Sequence, residues 1–310
     1  MLQCPDSRYA NGTFTMLIDG GSADPTEYAD RSSGRIPFAE YAAEIGLDHI
    51  DLLVSTHTHE DHICGALPVA QKLCPGQFWQ SLPDSFYRDT RELDVSLAQN
   101  LSQDKFLHAL NDYRTLCDTV VKGGGKICTV GAGDNGELCE GLTYRLLAPS
   151  KEKAAELESF THELYGETDK AAFLQKLNAL DAKMNNYSVM LLLEYRGTRI
   201  LLPGDTNCMG YEGIEPTLLR ADIFKIGHHG QKDGVAEAQL KAIQPKAIVC
   251  CASSDRRYNS AHPELMQSLL SQGIDLWFSD CPPVPGVTLS PHRELCLTIE
   301  ENGAFTAEYN

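Results

Sequence analysis

The stretch Ile50-Asp51-Leu52-Leu53-Val54-Ser55-Thr56-His57-Thr58-His59-Glu60-Asp61-His62 decides how this chain is read. Ile50 to Val54 is an apolar run of strand length, as in a strand covered on both faces. Directly after it, His57-x-His59-x-Asp61-His62 places four metal-capable side chains in six residues. His57 and His59, two apart, point the same way from a strand-end loop. Asp61 and His62 then turn back toward a neighbouring position, so two ions could each take part of the run. Imidazole and carboxylate suit zinc, and also manganese or iron.

Working outward, six of the ten histidines fall at strand ends: His57, His59, His62, His228, His229 and His262. A dinuclear site needs a bridging carboxylate. Asp205, closing the strand Ile200-Leu201-Leu202-Pro203-Gly204-Asp205, is the candidate, with Gly204 allowing close backbone approach. His228 or His229 then completes the second ion, and the other faces substrate or packs.

The elements around these motifs alternate strand and helix. Phe14–Asp19 predicts a buried strand ending in Asp19-Gly20-Gly21. Pro37–Gly46 predicts a helix, with Phe38, Tyr41, Ala42 and Ile45 on one face. A further helix is expected after His62, to about Leu73. Strands are expected at Lys126–Val130, Thr143–Leu147, Ala221–Ile226 and Ala247–Cys251. Ser188–Tyr195 and Thr198–Leu202 form a hairpin through Arg196-Gly197, and Glu264–Gln272 is a helix. Two stretches stand apart: a helical insertion over about 82–122, and a helical segment over about 151–184 rich in Ala, Glu, Lys and Leu. They read as additions to a sheet scaffold: a lid, a dimer surface, or plain packing helices.

Composition narrows the class. The chain has 310 residues, 42% of them hydrophobic and 22% charged, which suits an ordinary globular protein and excludes coiled-coil, collagen-like and disordered classes. No run approaches the ~18 apolar residues that a membrane span needs. The net charge of −17 argues against binding long nucleic acid, though an active site can still hold phosphate through metal ions. The eleven cysteines include no C-x-x-C pair, and the start Met1-Leu2-Gln3-Cys4-Pro5 has no secretory-signal pattern. A cytoplasmic protein with buried thiols is expected.

The motifs together resemble the metallo-β-lactamase fold superfamily. Asn185-Asn186-Tyr187-Ser188-Val189, the Gly204-Asp205 strand end, Ile226-Gly227-His228-His229-Gly230 and His262-Pro263 are similar to the soluble domain of ComEC/Rec2-type competence proteins and to stand-alone relatives such as phosphorylcholine esterase-like hydrolases. The resemblance implies a single α/β domain over 1–310, an αββα four-layer sandwich of two mixed sheets packed face to face with helices outside. It implies two divalent ions, zinc first and manganese or iron as alternatives. His57 and His59 would hold the first ion, Asp61, His62 and His229 the second, with Asp205 bridging. Asp61, His262 and His228 would serve catalysis: Asp61 orienting water and accepting its proton, the histidines assisting the leaving oxygen. Lys225 and Arg256-Arg257 would either attract a substrate phosphate or serve as ordinary surface charge, the latter favoured for Lys225.

The chain departs from the family pattern twice. The histidine usual before the Gly-Asp strand is replaced by Asn185-Asn186, which weakens the first metal position or leaves it to be completed by Asn186, water or substrate. His108 and His162 are expected on the surface. Relatives also open with an extra strand and a Gly-Gln-Gly-Asp-like turn. No such strand is expected ahead of Phe14, which leaves two alternatives: a misplaced gene start, or another element covering that sheet edge. The implied function is a hydrolase using a metal-activated hydroxide on small phosphodiester-type substrates. Alternatives are a carboxyl-ester, thioester or lactone hydrolase, or a non-catalytic interaction module with a degenerate site.

Overall fold

The structure is a computed structural model that describes the backbone of residues 1–310 and the side chains of all but Ala10, Asp84, Ser85 and Phe86. The chain divides into two compact units. The first comprises Met1–Glu27, Pro37–Ala132 and Pro149–Val189; the second comprises Tyr28–Ile36, Gly133–Ala148 and Met190–Asn310.

The first unit holds β1 (Leu2–Pro5), β2 (Thr13–Ile18), α1 (Phe38–Glu44), β3 (Leu52–Val54), α2 (Glu60–Ile63), α3 (Leu67–Leu73), β4 (Gln77–Gln80), α4 (Asp84–Asp89), α5 (Leu101–Lys122), β5 (Lys126–Thr129), α6 (Lys151–Tyr165) and α7 (Lys170–Met184). Its strands form one mixed sheet in the order β1-β2-β3-β4-β5. β3 is buried along its whole length, as its apolar run requires.

The expectation that no strand precedes Phe14 is overturned. β1 pairs antiparallel with β2, Leu2 opposite Met16 and Cys4 opposite Phe14. Only Cys4 of β1 is fully buried, so the hydrophobic signal is one residue deep. Pro5, which lacks an N–H, is tolerated because β1 lies at the sheet edge.

The segment expected as an insertion is part of the core. α5 begins at the Asn100 cap, whose side chain accepts from Gln103 N–H at 2.9 Å. It buries Phe106, Leu107, Leu110, Tyr113, Leu116 and Val120 in one apolar cluster with Phe78 of β4 and Leu53 of β3. α6 and α7 are capped by Ser150 and Asp169, and their Leu157, Leu164, Leu177 and Leu180 join that cluster.

The second unit holds β6 (Asn135–Cys139), β7 (Leu142–Ala148), β8 (Met190–Tyr195), β9 (Thr198–Leu202), β10 (Ile223–Lys225), α8 (Glu237–Ile243), β11 (Ala247–Cys250), α9 (Pro263–Ser271), β12 (Asp275–Phe278), β13 (Leu295–Ile299) and β14 (Phe305–Tyr309). Its main sheet runs β12-β11-β10-β9-β8-β7-β6. β9 to β12 are mutually parallel, and β6 to β9 are antiparallel. β13 and β14 make a separate hairpin. The β8–β9 turn has positive φ at both Arg196 (53°) and Gly197 (82°), which matches the right-handed twist of the flanking strands. Met190, Leu201, Phe224, Ile226, Ile248, Met266 and Phe278 centre the core. Both units therefore contain the expected mixed sheet with helices. Among the described residues, no helix is long and apolar enough to cross a membrane.

Candidate functional site

In the first unit, the loop after β3 is built around a carboxylate that the motif does not contain. Asp19 follows β2 with φ 54° and donates its N–H to Val54 O at 2.9 Å. Its Oδ1 accepts from Thr56 N–H at 2.8 Å, and its Oδ2 accepts from Thr56 Oγ1–H at 2.7 Å. The same Oδ2 lies 2.8 Å from His62 Nδ1. A carboxylate only accepts, so His62 carries its proton on Nδ1 and presents the Nε2 lone pair. Gly20 N–H donates to His62 O at 2.7 Å, and Gly65 N–H donates to Gly21 O at 2.8 Å. These bonds press the Asp19-Gly20-Gly21 turn against the chain following α2.

His57 and His59 are fixed by the same logic. Thr56 Oγ1 gives its proton to Asp19, so it accepts from His57 Nδ1, 3.1 Å away. His59 Nε2 faces Asp181 Oδ1 at 3.1 Å, which leaves a lone pair on His59 Nδ1. His57 Nε2 and His59 Nδ1 then stand 3.0 Å apart as two facing acceptors. Such a pair needs either a second proton or a cation between the two nitrogens. Zinc, which binds imidazole nitrogen at about 2.0–2.1 Å, reaches both, so the donor set fits a metal ion. Asp61 is half-buried on α2 beside His62. Glu60, inside the motif, braces the loop instead: it accepts from Ser22 Oγ–H at 2.6 Å and Ala23 N–H at 3.0 Å, and Lys105 Nζ lies 3.4 Å away.

The second unit carries its own cluster. Asp205, buried after β9, places Oδ2 2.8 Å from His229 Nε2. His229 Nδ1 donates to Cys251 O at 2.8 Å. With Nδ1 committed, the facing Nε2 and carboxylate need either a second proton on His229 or a shared cation. His228 is occupied elsewhere: Gln231 Nε2 donates to its Nε2 at 3.0 Å, and its Nδ1 donates to Asp233 at 2.9 Å. Both neighbours have left-handed backbone, φ 48° and 51°. His262 stands at the residue before α9 without a side-chain capping bond, and it donates its N–H to Gly230 O at 2.8 Å. Its Nδ1 is buried without a hydrogen-bond partner among the described residues. With Gln231, Lys232, Asp233 and Asn259 it lines an open groove of about 530 Å³.

The basic residues expected to attract phosphate are engaged locally. Lys225 Nζ donates to Gly204 O at 2.9 Å and lies 3.3 Å from Asp205 Oδ1, steadying the carboxylate. Arg256 donates to Ser260 O and Arg257 to Asp255. His108 and His162 are on the surface, as expected. The Oδ1 atoms of Asn185 and Asn186 are buried without hydrogen-bond partners among the described residues, and Val189 N–H donates to Thr56 O at 2.8 Å.

Residues 6–125, which include the His57–His62 run, match the family model of the metallo-beta-lactamase superfamily. Two curated relatives agree with the ComEC/Rec2-type resemblance of this chain. It is 31% identical over 101 residues to ComE operon protein 3 of Bacillus subtilis (strain 168), covering 32% of this chain and 13% of that protein. It is 24% identical over 92 residues to Recombination protein 2 of Haemophilus influenzae, covering 30% and 12%. The chain thus spans about an eighth of the length of these relatives. Among solved structures, a putative metal-dependent hydrolase from Parabacteroides distasonis is similar, with 15% identity, a TM-score of 0.41, and coverage of 88% of this chain and 87% of that one.

The orienting groups Asp19, Asp181 and the Cys251 carbonyl were missed by sequence reasoning. Asp19 had a signal, an Asp at the end of a buried strand, but it reads equally as a turn residue.

Proposed function

We propose that this chain is a metal-dependent hydrolase acting on small phosphodiester-type substrates. The observation that carries the reading is the close approach of two imidazole nitrogens, His57 Nε2 and His59 Nδ1, 3.0 Å apart. On this proposal His57, His59, Asp61 and His62 of the first unit and Asp205 and His229 of the second would be the metal ligands. Two divalent ions supply Lewis-acid chemistry, activating water and neutralising charge that develops at phosphorus. Zinc is the first candidate for both positions.

The chain's own residues do the rest. Asp61, half-buried beside His62, accepts the proton released by the attacking water. The partnerless His262 Nδ1 makes a hydrogen bond to the leaving oxygen, supported by its place on the polar groove. His228 acts through Asp233 and Gln231, shaping the same groove. The net charge of −17 supports a small substrate over a long polyanion.

Elemental analysis of protein purified without chelators is expected to give about two metal equivalents per chain. Asp61→Ala should keep the fold and lower phosphodiesterase turnover by about 10²–10⁴-fold, as loss of a proton acceptor does. No metal after reconstitution overturns the reading. Activity confined to carboxyl esters, thioesters or lactones overturns the substrate class alone.

A further inference from the structure

Among the groups around the histidine run, Asp181 belongs to neither the motif nor its strand. It lies near the end of α7, and its carboxylate joins two elements: Oδ1 is 3.1 Å from His59 Nε2, and Oδ2 accepts from Ser102 Oγ–H of α5 at 2.9 Å. One helical turn beyond Ser102, the buried ring of Phe106 meets the His59 ring edge-on, with centroids 5.5 Å apart and planes at 74°. His59 is therefore held on one nitrogen by a carboxylate, on one ring edge by an aromatic face, and has its other nitrogen turned to His57.

We propose that Asp181 is a positioning residue for the first metal position, fixing the ring orientation and the Nε2-protonated tautomer of His59 from the helical segment. A histidine ligand whose other nitrogen donates to a carboxylate is more basic and better oriented, and losing that partner weakens metal binding by about 10–100-fold. The arrangement matters here because Asn185 and Asn186 stand where a third imidazole is expected. Asp181 sits one helical turn before Asn185, so α7 delivers the support and the substitution together. The metal half of this inference rests on the hydrolase reading, but the hold on His59 does not.

The test uses the full chain. Zinc affinity is measured by competition with a chromophoric chelator, and the His59 imidazole N–H is followed in ¹H–¹⁵N spectra of metal-free protein, with His59→Asn for assignment. Wild type should show a slowly exchanging His59 Nε2–H. Asp181→Ala should lose that signal and weaken the lower-affinity zinc by about 10–100-fold, leaving the other zinc and the thermal midpoint unchanged. Asp181→Asn, which keeps an acceptor oxygen, should recover the N–H signal and part of the affinity. Asp118→Ala, on an exposed surface pair, should change nothing. Wild-type zinc affinity in Asp181→Ala overturns the proposal, as does equal weakening of both zincs together with lost stability. If wild type binds no zinc, the hydrolase reading fails. The His59 signal then still decides the hold, and its absence in wild type overturns that as well.

Discussion

His49 shows how a single side chain ties stability to pH. Its Nδ1 lies 2.6 Å from Asp48 Oδ1, and its Nε2 lies 3.0 Å from Thr13 O and 3.6 Å from Asp51 Oδ2. Both nitrogens face acceptors, so the imidazolium is favoured, and the Asp48 hydrogen bond raises its pKa above 6.5 despite partial burial. A raised folded-state pKa stabilises the fold fully below 6.5, and the contribution is lost as pH climbs through the raised value. His49→Gln should therefore melt about 2 °C below wild type at pH 6, with the gap narrowing by pH 9; scanning calorimetry at both pH values checks this. A constant gap would assign His49 a role independent of charge. At this same scale the metal-capable run was legible, because His57, His59, Asp61 and His62 are neighbours in sequence. Asp19 and Asp181 were not, because 43 residues separate Asp19 from His62 and 122 separate Asp181 from His59. Local spacing carries no trace of such pairings.

At the scale of elements, close backbone contact sets what the site loop tolerates. A Cβ on Gly20 would run into the backbone of Ala66, and one on Gly65 into the Gly20 carbonyl. Neither obstacle is a movable side-chain tip. Gly20→Ala should cost about 3 kcal/mol by urea unfolding, the upper range for forced overpacking. An unchanged midpoint would mean that the turn can slide away. Leu110→Ala should cost about 2–5 kcal/mol, since Leu110 is 1% exposed and part of the common cluster. The periodicity of α5 was readable as a helix, but an apolar stripe looks the same whether it faces a core, a lid hinge or a partner. β3, the β8–β9 hairpin and β10 were legible because each is a distinct apolar run. β1 was not, with one buried residue in four, and neither were short half-exposed strands such as β12 and β13.

At the scale of the whole chain, thiol chemistry separates surface from interior. Cys74 and Cys296 are exposed, whereas Cys4, Cys64 and Cys250 are buried, and burial pushes the Cys64 and Cys250 thiols far above their ordinary range. An aromatic disulfide reagent should modify Cys74 and Cys296 within minutes, and Cys4, Cys64 and Cys250 only after denaturation. Peptide mapping of early products checks this, and early labelling of Cys64 would show that the first unit opens readily. The interleaving of the two units has a consequence for synthesis. Between β7 and β8 lie only residues of the first unit, Pro149–Val189. A ribosome therefore releases the entire first unit while the β6–β7 hairpin still lacks β8, its next neighbour in the sheet. Until translation passes Tyr195, one edge of β7 stays open on the nascent chain, and that edge is where a chaperone has something to protect.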